Sequence, residues 1–236
     1  MKTVGIIGGI GPESTIEYYR FIIAAWRKQK QNGSYPSIII NSIDWTKVIN
    51  LMGDKRFAEL TEYLLTELRR MDRAGADFAV VAANAPHVVF DALRDKSPIP
   101  LISIVEATCQ DATSRGLKRV GLFGIKVVTQ GSFYFDIFSK AGISLVVPTL
   151  DEQEYIHEKY LNEFVNGVFL AETRDGLMDI VERLRVQEGI EGLILGGTEL
   201  PLILRDAPDQ KIPFLDTTMI HVGQIMAGLF SEGRGD

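Results

Sequence analysis

Thiols, imidazoles and long apolar runs are scarce in this chain. Among 236 residues there is one cysteine, Cys109, and there are three histidines. One cysteine excludes an intramolecular disulfide framework and matches usage in a reducing cytoplasm. The histidines, His87, His157 and His221, have no spacing that suits a metal site. No stretch reaches the roughly 18–20 apolar residues of a membrane helix. Lys and Arg number 25 against 31 Asp and Glu, a net charge of −6. There is no basic run and no interleaving of aromatics with cations, which argues against a nucleic-acid surface. A low-complexity tract, a long linker and a signal-peptide pattern are missing too. The expectation is a cytoplasmic protein with no membrane segment and no metal.

What is present is a core: 46% of the residues are apolar, enough for one large or two small α/β domains. Phe78-Ala-Val-Val-Ala82 reads as a strand buried on both faces, with Asn84 at its carboxyl end and Pro86 at the start of the next helix. Gly192-Leu-Ile-Leu-Gly-Gly-Thr-Glu199 repeats that design ahead of Leu200-Pro201. Around these, Thr3 to Ile7 reads as a strand, Gly8 to Pro12 as a tight turn, and 12–31 as a helix striped by Tyr18, Phe21, Ile22, Ala25 and Trp26. A strand over 37–41 stops near Asp44. A helix over 54–73 carries Phe57, Leu60, Leu64, Leu65 and Leu68 and is ended by Gly75. A short helix over 87–95, a strand at 99–103 and a helix over 105–115 close the first pass.

Lys118-Arg-Val-Gly-Leu-Phe-Gly124 then echoes Lys2-Thr-Val-Gly-Ile-Ile-Gly8. Helices over 130–140, 152–167 and 174–187, a strand at 143–147 and the strand at 192–196 mirror the first half. Ile212-Pro213 repeats Ile99-Pro100, and 217–230 is a closing helix. Alternating strands and helices imply parallel sheets covered on both faces. The repeat implies two similar α/β domains related by a pseudo-twofold, residues 1–98 plus about 216–236 and residues 99–215. Ligands bind beyond the carboxyl ends of such strands. The sequence therefore predicts a cleft between the domains lined by Gly8 to Glu13, Asp44, Ala83 to His87, Gly124-Ile125 and Gly196 to Glu199.

Each lining residue has a functional and a plain reading. Gly9-Ile10-Gly11 resembles a dinucleotide turn, but Ser14 stands at the third glycine and no P-loop lysine follows. A tight turn offering helix N–H groups to a carboxylate is the simpler account. Glu13 either caps that helix or acts as an acid or base. Asp44 either orients a substrate amine or caps a neighbouring element. His87 is either a general base or a brace for the strand–helix joint. Asn84 and Thr198 hold equivalent positions and are expected to hydrogen-bond a carboxylate ligand. Cys109 reads as a packing residue on a helix.

The segments Gly5 to Tyr19, Asn41 to Asp44, Ala74 to Asp77, Asn84 with His87, Leu195 to Glu199 and Phe214 to His221 together resemble the aspartate/glutamate racemase family, along nearly the whole chain. The resemblance implies two Rossmann-like domains around a central cleft, a homodimer, an acidic amino acid as substrate and no pyridoxal phosphate. It also implies two-base proton exchange at the α-carbon by one cysteine from each domain. Here those positions are Ala83 and Gly197. The threonine expected after the asparagine is Ala85, a second-half threonine is Ile125, and a lysine found before Gly167 is replaced by Val165-Asn166.

These departures leave three readings. One is a diverged enzyme that binds a small carboxylate through Asn84, Thr198 and the lining residues Gly9, Ile10, Gly11, Ala85, Gly124 and Ile125. Its acid–base work would fall to Glu13, Asp44, His87 or Glu199, and its more apolar pocket would suit a substrate larger or less polar than aspartate. The second is a binding or regulatory relative without chemistry. The third is an amino-acid racemase with non-cysteine bases.

Overall fold

In the computed structural model, residues 2–207 and 210–231 are described, and the chain divides into two compact units, Met1–Ile104 with Thr218–Asp236, and Val105–Thr217. Residues 232–236 of the first unit lie outside the described part. Both units are parallel α/β structures.

Unit 1 begins with β1 (Thr3–Gly8), α1 (Pro12–Gln29) and β2 (Ser37–Ser42). It continues through α2 (Trp45–Gly53), α3 (Phe57–Arg73), β3 (Phe78–Val81), a 3-10 turn at Ala85–Val89, α4 (Phe90–Lys96) and β4 (Leu101–Ile102). The sheet order is β2-β1-β3-β4, all parallel. α5 (Ile104–Ser114) leads into unit 2. There follow β5 (Arg119–Phe123), α6 (Lys126–Gln130), α7 (Ser132–Lys140), β6 (Ser144–Val146), α8 (Leu150–Asn162) and α9 (Ala171–Arg183). β7 (Gly192–Leu195), α10 (Leu200–Leu204) and β8 (Phe214–Asp216) complete that unit, and α11 (Thr217–Phe230) returns to unit 1. Its sheet order is β6-β5-β7-β8, again all parallel.

The internal repeat extends to single hydrogen bonds. Ala82 N–H donates to the Ile7 carbonyl at 2.9 Å, and Gly196 N–H donates to the Phe123 carbonyl at 2.8 Å. Asp77 Oδ2 accepts from Thr3 N–H at 2.6 Å, and Glu191 Oε2 accepts from Lys118 N–H at 2.6 Å. Carboxylates thus close the amino ends of both sheets, where an unpaired strand N–H would otherwise be left.

The core of unit 1 is built from one face of β1 and β3 (Val4, Ile6, Phe78, Val80) against Tyr18, Ile22 and Trp26 of α1 and Val222, Ile225, Met226 and Leu229 of α11. The apolar spacing of α1 predicts this face, and Trp26 stacks on Phe230 at 4.8 Å between ring centres. Among the described residues no helix is long and apolar enough to cross a membrane.

Three differences from the sequence reading have local causes. β4 pairs with β3 through Ala79 and Leu101, so unit 1 extends to Ile104, past the division drawn at residues 98 and 99. α2 is an added helix before α3. Its Thr, Val, Ile and Asn residues have weak helix propensity, yet it buries Val48, Leu51 and Met52 on one face. The region 126–140 is two helices, because Gly131 is extended between them (φ −78°, ψ 156°).

Candidate functional site

In unit 1, the β1–α1 turn is made by glycines that must be glycines. Gly9 has φ 79° and Gly11 has φ 61°, and a β-carbon on Gly9 would lie 2.5 Å from the Ile43 carbonyl. The Gly9 N–H donates to Thr15 Oγ1 at 2.9 Å, and the Ser14 hydroxyl donates to the Gly11 carbonyl at 2.8 Å. Ile10 is buried, whereas Glu13, in the first turn of α1, is exposed.

Asp44 follows β2 and is the N-cap of α2: its Oδ1 accepts from Thr46 N–H at 2.9 Å. This is the capping reading, and the signal for it was the short polar side chain ahead of an apolar spacing. Beyond β3, Ala83, Asn84 and Ala85 are all buried. Asn84 precedes the 3-10 turn, and its carbonyl accepts from His87 N–H at 3.0 Å.

His87 is a brace in this structure. Its Nδ1 lies 2.9 Å from the Ala83 carbonyl, which can only accept, so Nδ1 carries the hydrogen. Its Nε2 accepts from Ile104 N–H at 3.3 Å. Both ring nitrogens are engaged with backbone and the ring stacks on Phe90 at 4.6 Å. Burial, with repulsion from His221 added, pushes its pKa down to about 3. An imidazole with its lone pair spent on a backbone N–H is not placed to take a proton from a ligand.

In unit 2, Gly124 and Gly196 let the ends of β5 and β7 approach closely. A β-carbon on Gly196 would lie 2.5 Å from the Phe123 carbonyl, and one on Gly124 2.9 Å from the Gly196 carbonyl. Ile125, buried, is the residue before α6. Gly197, Thr198 and Glu199 follow β7, and Thr198 and Glu199 are buried. Glu199 Oε2 accepts from the Thr198 hydroxyl at 3.1 Å and from the phenol of Tyr160.

Tyr160 is the residue the sequence reading did not single out. It sits in α8 with Gln153 and Ile156 on the same buried stripe, so its spacing marks only a core position. A β-carbon on Gly197 would meet its ring, 2.5 Å from Cε2 and 2.9 Å from the hydroxyl oxygen. The residue at 197 is therefore held to glycine by a neighbour and not by a left-handed backbone. Burial, then the charge of Glu199, pushes the Tyr160 pKa well above the usual phenol value.

The one thiol is elsewhere. Cys109 lies buried in α5, its sulfur 3.9 Å from the Ile137 carbonyl, and burial raises its pKa. Before Gly167, where the family resemblance implies a lysine, the Asn166 amide donates to the Asn162 carbonyl at 3.1 Å. Among the described residues no group of three His, Cys, Asp or Glu side chains is gathered as a metal site would need.

A model of the Asp/Glu/hydantoin racemase family matches residues 7–225. The chain is 32% identical to an aspartate racemase homologue from Pyrococcus horikoshii OT3, with a TM-score of 0.82 over 97% of this chain and 99% of that one. It is 22% identical to the broad specificity amino-acid racemase RacX of Bacillus subtilis (strain 168), over 91% of this chain and 92% of the relative. Its fold is shared with the aspartate racemase of Picrophilus torridus at 18% identity and a TM-score of 0.77, over 97% and 94% of the two chains.

Proposed function

Because the chain belongs to the Asp/Glu/hydantoin racemase family, we propose that it is a diverged member that binds a small amino-acid-like carboxylate and moves a proton at carbon without a thiol. Asn84 and Thr198 are the ligand contacts in this reading, with Gly9, Ile10, Gly11, Ala85, Gly124 and Ile125 as lining. The observation that carries it is Glu199, a buried carboxylate just past β7, held on one oxygen by Tyr160 and Thr198. Buried acid–base pairs at the carboxyl ends of parallel strands are where such folds place chemistry. Of the four acid–base candidates, Glu199 is the best placed. Glu13 is exposed, Asp44 caps α2 and His87 is spent on backbone. Ala85 and Ile125 favour a ligand larger or less polar than aspartate. The reading includes a homodimer in the cytoplasm, the dimer to be checked by light scattering.

A second reading, a binding protein without chemistry, is favoured by the engaged state of His87 and Asp44 in unit 1. One experiment separates them. Calorimetry with D- and L-amino acids measures binding, and proton NMR in deuterated water measures loss of the α-hydrogen. The first reading expects both signals, most readily for less polar amino acids. Binding without exchange supports the second reading, and no binding across the set overturns both. Asn84→Ala and Thr198→Ala should each weaken binding tenfold or more. A hydrogen bond to a charged group contributes about 1.5–3 kcal/mol.

A further inference from the structure

Resting on the homodimer included in the reading above, we propose that two copies of this chain join through the outer edge of β2, which pairs antiparallel with itself across a twofold axis at Ile40. Of the four edge strands β2 is the longest. Ser37–Ser42 has six residues, against two in β4 and three each in β6 and β8. One bond fixes which way its backbone faces: the Ile43 N–H donates to the Gly8 carbonyl at 2.9 Å. Both backbone groups of a strand residue point to one side, and successive residues alternate. Ile39 and Asn41 therefore face β1. Ile38, Ile40 and Ser42 turn N–H and C=O outward, where no strand lies beside them among the described residues. The equivalent edge in unit 2 is curtailed. Ser144 N–H donates to the Lys118 carbonyl at 2.8 Å, so Leu145 is the one residue of β6 that faces out, and Pro148 follows soon after.

A second copy is what this edge fits. Natural sheet edges are guarded by charge, proline or a bulge. Ser37-Ile-Ile-Ile-Asn-Ser42 has neither charge nor proline, and its register against β1 is unbroken. Ile40 is 41% exposed, and Tyr35, just ahead of the strand, is 52% exposed. A twofold at Ile40 sets Ile40 opposite its own copy and Ile38 opposite Ser42, so no like charges meet. Each outward residue then exchanges two hydrogen bonds with its opposite, and two four-stranded sheets become one of eight strands. The match uses the same residues on both sides, which a copy of this chain supplies and an arbitrary strand does not.

Light scattering over a dilution series tests this with the parent chain, Ile40→Lys and Ile40→Pro. The parent should scatter at twice the chain mass. Ile40→Lys sets two ammonium groups opposite each other across the axis and should weaken the dimer about 100-fold or more. Ile40→Pro removes an N–H that β1 does not use, so it should give a folded monomer. Amide exchange gives a second readout: Ile38, Ile40 and Ser42 should be protected in the parent and exchange fast in Ile40→Lys. If the proline variant does not fold, the lysine variant and the parent amides decide. A lysine variant as dimeric as the parent, or fast exchange at those three amides in a dimeric parent, overturns this edge and leaves a dimer through another surface. A parent that is monomeric throughout, or larger than a dimer, overturns the twofold pairing and the homodimer together. The reading of the ligand site stands or falls separately, on calorimetry and α-hydrogen exchange.

Discussion

Tyr18 donates its phenolic hydrogen to Nδ1 of His221 across 2.8 Å, joining α1 to α11 inside unit 1. The tautomer follows from the other side of the ring, where Nε2 lies 3.1 Å from the Ile102 carbonyl and must donate. His221 and His87 together hold the two ends of the short Ile102–Ile104 segment, His221 by its carbonyl and His87 by its N–H. Both rings are neutral in this arrangement, since each uses one nitrogen as an acceptor.

The first prediction is a pH dependence of stability. Burial depresses the folded pKa of His221 to about 4 and of His87 to about 3. The unfolded chain protonates both rings below about pH 6.5, so it binds more protons than the folded chain. Stability is therefore lost as pH falls from 6.5 toward those folded values, by roughly 1.4 kcal/mol per pH unit per ring. Urea midpoints should be nearly level from pH 7.5 to about 6.5 and drop with increasing slope from there to pH 5.5. A flat midpoint over that range would show that the rings are not held neutral.

The second prediction concerns Gly197. Gly197→Ala should destabilise unit 2 by about 1–3 kcal/mol through overpacking against the Tyr160 ring. Tyr160→Val combined with Gly197→Ala should show favourable coupling in a double-mutant cycle, because the smaller side chain vacates the contested space. Strict additivity would mean that the ring is not what forbids a side chain there. The same contact means that Gly197→Cys, alone or with Ala83→Cys, restores a thiol only at the expense of packing.

Asp44→Ala supplies the third prediction. Loss of the N-cap of α2 should cost about 1 kcal/mol of stability, with amino-acid affinity unchanged. A large loss of affinity at preserved stability would return Asp44 to the binding site.

Alkylation gives the fourth. Cys109 is buried and its acidity is lowered, so iodoacetamide at neutral pH should modify the folded protein slowly and leave ligand binding intact. Fast stoichiometric modification with loss of binding would contradict the placement of that thiol.

The sequence made the sheets legible because buried parallel strands leave continuous apolar runs, and the second run at Gly192 to Leu195 copies the first. Gly9 was legible as part of the tight turn Gly8 to Pro12, whereas Gly196 was read as the last residue of its strand. α2 was hidden because Trp45 to Gly53 has poor helix formers, and its signal was carried by Asp44 and three buried residues. Tyr160 was hidden differently. It meets Glu199 across 39 positions of sequence, and nothing in α8 distinguishes a ring that packs from a ring that packs and donates. His87 could be narrowed to one of its two readings only when both of its ring nitrogens had partners.

The return of α11 to unit 1 sets an order of events during synthesis. A ribosome has released β1 to β4 long before Val222, Ile225, Met226 and Leu229 exist to fill the core above them. At about 5–20 residues per second, the stretch from Ile104 to Phe230 takes roughly 6–25 s to translate. The half that is made first is thus the half that finishes last. In the interval the face of β1 and β3 that α11 will cover is without that helix, and is apolar surface of the kind that chaperones hold.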